Sequence, residues 1–239
     1  MKTVVVIPAY NEAKVIANVI HEVRLNCPHV LVIDDGSADD TARVAREAGA
    51  TVLRHALNRG QGAALQTGIS AALEDGADII VTYDADGQMR SEDIPAVVAP
   101  VAAGLCDVVL GSRFLNQNIE SGISNLDSKF KIQNSNIPPL RRLTLKSALV
   151  FTKLTTGLNI TDTHNGLRAF SRAAAKLLTL RCDRMAHASE ILEQIAHLGL
   201  RYREVPVTVR YTDYSMQKGQ KLSGAFRIIK DLIISSWTR

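Results

Sequence analysis

Short, nearly continuous apolar runs alternate with segments of helical period through the first half of the chain. Val4 to Pro8 reads as a buried strand. Glu12 to Leu25 follows with Val15, Ile16, Val19, Ile20 and Val23 spaced for one helix face. Val30 to Ile33 is a second strand, Thr41 to Ala48 a short helix and Thr51 to Leu53 a third strand. Gly62 to Leu73 reads as helix, Asp78 to Tyr83 as a fourth strand, Ile94 to Ala103 as helix and Asp107 to Leu110 as a fifth strand. Val/Ile runs without polar alternation belong to strands covered on both faces, so the pattern predicts an α/β fold with a mainly parallel central sheet flanked by helices.

The second half is less regular. Positions 116–136 are rich in Asn and Ser without a period, and 116–137 reads as a long loop. Pro138-Pro139 then opens a basic amphipathic segment, 139–158, carrying Arg141, Arg142, Lys146 and Lys153 among apolar residues. Such a helix suits an anionic membrane surface or an ordinary core contact with a solvated basic face. Thr161 to Phe170 holds a short strand or turn, helices follow over Ala173–Leu180 and Ser189–Leu198, and Tyr202 to Tyr211 alternates as a strand. A C-terminal amphipathic helix is predicted over 222–237, with Phe226, Ile229, Ile233 and Trp237 near one side. The 239 residues fit one domain, with a regular half over 1–113 and a less regular half over 114–239.

In a parallel sheet, ligands bind beyond the carboxyl ends of the strands. The polar clusters of the first half fall there: Tyr10-Asn11-Glu12, Asp34-Asp35, Asp84-Ala85-Asp86 and Ser112-Arg113. Asp84 and Asp86, two apart at a strand end, project to the same side. Hard carboxylate oxygens suit Mg²⁺ or Mn²⁺, which bind phosphate oxygens and offset charge on a departing diphosphate. Gln88, one alternation further, offers another oxygen, and a plain polar turn is the competing reading. An Asp34-Asp35-Gly36-Ser37 carboxylate can accept from a base N–H or a ribose hydroxyl, or cap a turn. The glycines of Asn58-Arg59-Gly60-Gln61-Gly62 open a helix where backbone N–H groups could approach phosphate, or serve only for capping and close packing. This is no GxGxxG, which argues against a dinucleotide fold.

Composition narrows the classes. Net charge is +4 with few aromatic residues and no aromatic-basic stripe, which speaks against nucleic-acid binding and fits an anionic ligand or a membrane surface. Cys27, Cys106 and Cys182 lie far apart and read as reduced thiols of a cytoplasmic protein rather than a zinc site. Neither a signal peptide nor a run of about 20 apolar residues is visible. Any membrane contact would then be peripheral, on the inner face, or through a separate small membrane protein.

Taken in order, Val5-Val6-Ile7-Pro8-Ala9-Tyr10-Asn11-Glu12, Asp34-Asp35-Gly36-Ser37, Asp84-Ala85-Asp86-Gly87-Gln88, Gly111-Ser112-Arg113, Asp162-Thr163-His164-Asn165-Gly166-Leu167-Arg168 and Val205-Pro206-Val207 resemble family 2 glycosyltransferases with the GT-A fold. Within that family the chain is similar to dolichyl- and polyprenyl-phosphate mannosyl- and glucosyltransferases. The resemblance implies an inverting single displacement from a nucleotide-sugar donor. It implies that Pro8, Ala9, Tyr10, Glu12, Asp35, Gly62, Asp84 and Ala85 hold the nucleotide, and that Asp84, Asp86 and Gln88 gather metal and diphosphate. Asp86, Arg113 and Asp162 are the expected catalytic residues, and Glu190 resembles a site carboxylate of the family.

The acceptor is read from charge. A sugar hydroxyl needs a general base, and Asp162 is the candidate. A polyprenyl phosphate is already anionic and needs cationic positioning instead. Arg113, His164, Arg168, Arg210, Lys218 and Lys221 are the candidates for that task. Lys221 lies in Lys218-Gly219-Gln220-Lys221-Leu222, which departs at two positions from the Gly-Glu-Ser-Lys-Leu of the lipid-phosphate branch. Transfer to a sugar hydroxyl of a lipid-linked glycan, and nucleotide-sugar binding without turnover, are the alternatives.

Overall fold

The computed structural model describes residues 1–115, 152–153, 155–181 and 187–210. Its strands are β1 (Thr3–Ala9), β2 (Val30–Asp34), β3 (Thr51–Arg54), β4 (Ile79–Thr82), β5 (Val108–Ser112), β6 (Arg168–Ser171) and β7 (Tyr202–Pro206). Helices are α1 (Ile16–Asn26), α2 (Thr41–Glu47), α3 (Gln61–Glu74), α4 (Ile94–Ala102), α5 (Arg172–Leu177) and α6 (His187–His197), with a 3₁₀ turn at Ser91–Asp93 leading into α4.

The strands form one sheet in the order β3-β2-β1-β4-β6-β5-β7. β1, β2, β3 and β4 pair in parallel, as do β5 and β7. β6 runs antiparallel between β4 and β5, setting Thr82 opposite Arg168 and Leu110 opposite Arg168. The predicted α/β fold with a mainly parallel, helix-flanked sheet therefore holds. β2, β4 and β5 are buried at every position, the pattern expected of strands covered on both faces.

Two apolar layers account for the runs. On one face, Val5, Ile7, Val32, Val81 and Val109 pack against Ile16, Val19, Ile20 and Val23 of α1 and Ile94 and Val97 of α4. On the other, Val4, Val6, Ile33, Ile80 and Leu110 meet Ala64, Leu65 and Ile69 of α3 with Ile191, Leu192 and Ile195 of α6. Each fully buried Ile or Leu contributes about 1.5–3 kcal/mol of transfer free energy. This double layer fixes where the strand ends lie.

Some boundaries differ from the sequence reading. The expected strand to Tyr211 stops at Pro206, where its ladder with β5 ends opposite Ser112, and an isolated Met89–Val209 bridge follows. Within Thr161–Phe170 only Arg168 to Phe170 is strand; the preceding residues form a loop over the β4 and β5 ends. Leu178 is extended, so α5 is shorter than predicted. Positions 152–153 and 155–156 are helical and Lys153 is exposed. The rest of the predicted basic helix up to residue 151, the 116–137 loop, the 222–237 helix, Lys218 and Lys221 lie outside the described residues. Among the described residues no helix is long and apolar enough to cross a membrane.

Candidate active site

The site is assembled from the carboxyl ends of β1, β2, β4 and β5, as the topology dictates. β1 delivers Pro8 and Ala9, both buried, and the chain then turns through Asn11 at φ 55°. Asn11 donates its backbone N–H to Ser37 Oγ at 2.9 Å, and its Oδ1 accepts from the Ala38 N–H at 2.8 Å. The Glu12 N–H reaches Thr41 Oγ1 at 2.8 Å. These bonds tie the β1 and β2 ends together, leave Tyr10 45% exposed at the rim and bury Glu12.

Asp35 follows β2 and is held by four protein groups. Its N–H donates to Ala9 O at 2.9 Å. Its Oδ1 accepts from the Arg59 N–H at 2.9 Å and lies 2.7 Å from His55 Nδ1, and its Oδ2 accepts from the Gly60 N–H at 2.7 Å. The carboxylate thus gathers backbone donors at the start of α3, where the helix leaves amides unsatisfied. Gly36, at φ 71°, allows this approach, because a β-carbon there would lie 2.7 Å from Asn58 N. Gly62 is buried in the first turn of α3.

The next α3 residue inward, Gln61, donates its Nε2 to Asp84 Oδ1 at 3.1 Å. Asp84 and Asp86 follow β4. The Asp84 carboxyl is pushed up to about 7, first by burial and then by the Asp86 charge, against the opposing pull of Arg168, Gln61 and Arg113. A divalent cation would offset the burial and mutual repulsion that raise Asp84, and hard oxygens at a strand end match Mg²⁺ or Mn²⁺. Among the described residues no group of three or more His, Cys, Asp or Glu ligands converges on a point. Two carboxylates therefore fit an ion that completes its shell with diphosphate oxygens and water. Ala85 turns its side chain into the core and offers only backbone. Gln88 has its N–H on Asp86 Oδ1 at 3.0 Å and its carbonyl on the Arg210 N–H at 2.7 Å.

Arg113 follows β5 and meets Asp162 through two parallel bonds, Nε to Oδ2 at 2.6 Å and Nη2 to Oδ1 at 2.8 Å. The Arg113 N–H and the His164 N–H, both at 3.2 Å, fill the remaining acceptor sites of Asp162. Burial pushes the Asp162 carboxyl up, but the Arg113 bonds and charge outweigh it and hold the group below the ordinary carboxylate range. The loop is fixed from β7: Glu204 accepts from the Thr161 N–H at 2.8 Å and the Asp162 N–H at 3.2 Å. Ser112 Oγ and Thr161 Oγ1 lie 2.6 Å apart. Residue 164 has exposed surface, yet the protein crowds its ring, and this desolvation with the Arg168 and Arg113 charges holds His164 below its ordinary value despite Asp162.

Arg168, on β6, is 4% exposed. Its guanidinium has no hydrogen-bond or ion-pair partner among the described residues, yet it lies in the fields of Asp84 and Asp162. Burial pulls its guanidinium down to about 10, against those two charges. Asp84, Arg168, Asp162 and Arg113 therefore form one electrostatic group. Arg210 does not join it: its guanidinium faces Glu22 and Glu92 at 3.9 and 3.7 Å, although its backbone lies beside Gln88. Glu190 is buried at the start of α6 and accepts from the Arg181 N–H at 3.0 Å.

The sequence reading missed His55, Gln61, Gly166 and Glu204. Only Gln61 and Gly166 lay inside motifs already singled out; a lone His after β3 and a Glu within a strand carry no local signal.

A mainly parallel, helix-flanked sheet with one antiparallel strand and an acidic pair beyond β4 is the architecture of the GT-A fold. The glucosyl-3-phosphoglycerate synthase of Mycobacterium tuberculosis matches with a TM-score of 0.70 at 21% identity, covering 97% of this chain and 79% of that one. The same enzyme has been crystallised with Mn²⁺, uridine-diphosphate and phosphoglyceric acid. The model of glycosyl transferase family 2 matches residues 4–178, and the chain belongs to that family. It is similar to the UDP-N-acetylglucosamine–dolichyl-phosphate N-acetylglucosaminyltransferase of Methanococcus voltae, 34% identical over 96% of this chain and 94% of the relative. It is also similar to the polyprenol monophosphomannose synthase of Mycolicibacterium smegmatis, 29% identical over 91% and 80% of the two chains.

Proposed function

We propose that this glycosyltransferase moves a hexose, with inversion, from a UDP- or GDP-linked donor to a polyprenyl phosphate at the cytoplasmic face of the membrane, using Mg²⁺ or Mn²⁺. The observation that carries the reading is Arg168, 4% exposed, whose guanidinium makes no hydrogen bond or ion pair among the described residues and lies in the fields of the Asp84 and Asp162 carboxylates. A buried cation without bonds is costly unless an anion completes it. A phosphate is the matching anion, since guanidinium donors pair with its oxygens in a fixed fork.

Asp35, Tyr10, Glu12 and the Pro8-Ala9 backbone hold the nucleotide, with Gly62 and the α3 start nearby. Asp84 and Asp86 hold the cation, whose chemistry when bound is to offset charge on the departing diphosphate. Gln88 adds an oxygen to that set. Arg113, Arg168 and His164 position the acceptor phosphate, with Lys218 and Lys221 as further cations. Asp162 orients Arg113; a carboxylate filled by four donors and held below its ordinary range is a poor general base. That geometry counts against a sugar-hydroxyl acceptor. The Methanococcus and Mycolicibacterium relatives, named for lipid-phosphate acceptors, support the same choice. Membrane access is peripheral, directly or through a small membrane protein.

The test is a radiolabelled transfer assay offering UDP- and GDP-sugars with polyprenyl phosphate and either ion. Labelled lipid product that disappears in Asp86→Ala is the expected result. Label entering only a hydroxyl-bearing glycan, or full activity in chelator, would overturn the reading.

A further inference from the structure

We propose that His55 is a positioning residue of the donor site: it locks the Asp35 carboxylate so that one remaining acceptor lobe faces the nucleoside. The inference rests on the nucleotide reading of Asp35 given above and names the group that makes that carboxylate usable.

His55 follows β3 directly. Its N–H donates to Asp34 O at 2.9 Å, continuing the β2–β3 ladder by one residue and placing the ring beneath the end of β2. Both ring nitrogens are engaged. Nδ1 lies 2.7 Å from Asp35 Oδ1 and Nε2 lies 3.0 Å from Thr67 Oγ1 on α3. The side chains of His55 and Asp35 are 10% and 4% exposed, so water competes little for either.

The chemistry fixes the tautomer. Asp35 as a carboxylate can only accept, so Nδ1 must carry the proton. A neutral ring then accepts at Nε2 from the Thr67 hydroxyl; a charged ring donates to it. In both states the Nδ1–H bond to Asp35 is kept. Asp35 offers about four acceptor lobes. Three are filled, by His55, the Arg59 N–H and the Gly60 N–H. Among the described residues nothing donates to the fourth, on Oδ2. That lobe suits a ribose hydroxyl or the ring N–H of a uracil or guanine, and the other three bonds prevent the carboxylate from rotating it away.

α3 makes this more than a local brace. Thr67 anchors His55, and so Asp35, to the helix whose first residue, Gln61, holds Asp84. The nucleoside-side carboxylate and the metal-side carboxylate are thus indexed to one rigid element. A donor's base and its diphosphate must sit at a set separation, and a helix anchored at both points supplies it. A histidine serving only to tether β3 to α3 would need the Thr67 bond and not the one to Asp35.

The test is calorimetric titration of the whole chain with UDP and with GDP, each with Mn²⁺ and without acceptor, alongside acceptor kinetics. His55→Phe should raise nucleotide Kd about tenfold or more, the cost of a lost bond to a charged group, and leave the acceptor KM unchanged. His55→Asn, whose Nδ2 takes the place of Nδ1, should restore most of the affinity. Thr67→Val should weaken binding by a smaller factor. If His55→Phe does not fold, the Asn and Val variants decide on their own. Equal nucleotide affinity in wild type and Thr67→Val together with weak binding in His55→Asn would overturn the proposal, as would unchanged affinity in His55→Phe. Wild type that binds neither nucleotide would instead sink the donor-site reading of Asp35 itself.

Discussion

Gly166 stands against the Asp84 carboxylate: a β-carbon built on it would lie 2.6 Å from Oδ1 and 2.7 Å from Cγ. Its carbonyl is held by Thr82 Oγ1 at 2.6 Å, so the loop cannot easily retreat. Gly166→Ala should therefore displace Asp84 and leave the sheet intact. If Asp84 holds the metal as proposed, a displacement of about 1 Å is enough for an activity loss of about a hundredfold. The check is Mn²⁺-dependent UDP binding together with a melting curve. Weakened binding at a nearly unchanged Tm is the expected pair of results, and unaltered binding would show that Asp84 has room to spare.

The Asp84 carboxyl, pushed up to about 7 by burial and by Asp86, makes the metal-free protein pH-sensitive. The folded state holds this proton more tightly than the unfolded chain. The resulting destabilisation is absent below about pH 4, grows as pH rises toward 7 and is complete above it. Asp84→Asn should raise the metal-free Tm at pH 8 by about a few degrees, with the gain shrinking toward pH 4.5. The same variant should lose metal-dependent transfer. A Tm gain independent of pH would contradict the titration argument.

Much of the fold was legible because it rests on local pattern. The runs at Val4–Ile7, Val30–Ile33 and Ile79–Thr82 name their strands, and the parallel sheet places their polar ends together. β6 was not legible in position: Arg168-Ala169-Phe170 is short, and its place between β4 and β5 is set by partners far away in sequence. The placement of Asp35, Asp84 and Asp86 just beyond strand ends was readable from the pattern. The bracing was not, since His55, Thr67 and Glu204 act through contacts with residues distant in the chain. Arg210 shows the converse, a candidate cation whose neighbours Glu22 and Glu92 draw its head elsewhere.

The bidentate Arg113–Asp162 pair predicts a stability cost with a defined pH window. Asp162 is held below its ordinary range, so its contribution is present above about pH 4 and is lost as pH falls below that. Asp162→Asn removes the negative charge and one of the two parallel bonds that a largely buried guanidinium receives, a change that costs up to about 3–5 kcal/mol. Urea unfolding at pH 7 should show that loss, and the gap from wild type should narrow at pH 3. If Asp162 were instead a free general base, the variant would lose transfer with stability unchanged.

Chelation should separate donor binding from the acceptor site. The Asp84–Asp86 pair fits an ion completed by diphosphate oxygens, so EDTA should weaken UDP or GDP binding and abolish transfer. The Arg113–Asp162 pair involves no metal-side carboxylate, and its contribution to stability should survive. Melting curves with and without EDTA, in the absence of nucleotide, should differ by no more than the few degrees that the Asp84–Asp86 repulsion accounts for. A large drop in Tm on chelation would reveal a structural ion that the described residues do not account for.

Arg168 separates the donor and acceptor halves of the reading. It is buried, unbonded and lowered to about 10, so it costs the metal-free protein stability while it faces Asp84 and Asp162. In Arg168→Gln the side chain keeps hydrogen-bonding capacity but loses the charge. Fold stability should hold or rise slightly, because a poorly compensated buried cation is removed. Acceptor KM should rise about ten- to a hundredfold, the cost of charge-assisted bonds to a phosphate. Loss of the cation also removes a force that keeps Asp84 ionised, so the acid limb of the pH–rate profile should move to higher pH. Direct titration of nucleotide and steady-state kinetics with varied polyprenyl phosphate distinguish the two roles. Weak nucleotide binding with an unchanged acceptor KM would assign Arg168 to the donor diphosphate and leave the acceptor phosphate to Arg113 and His164.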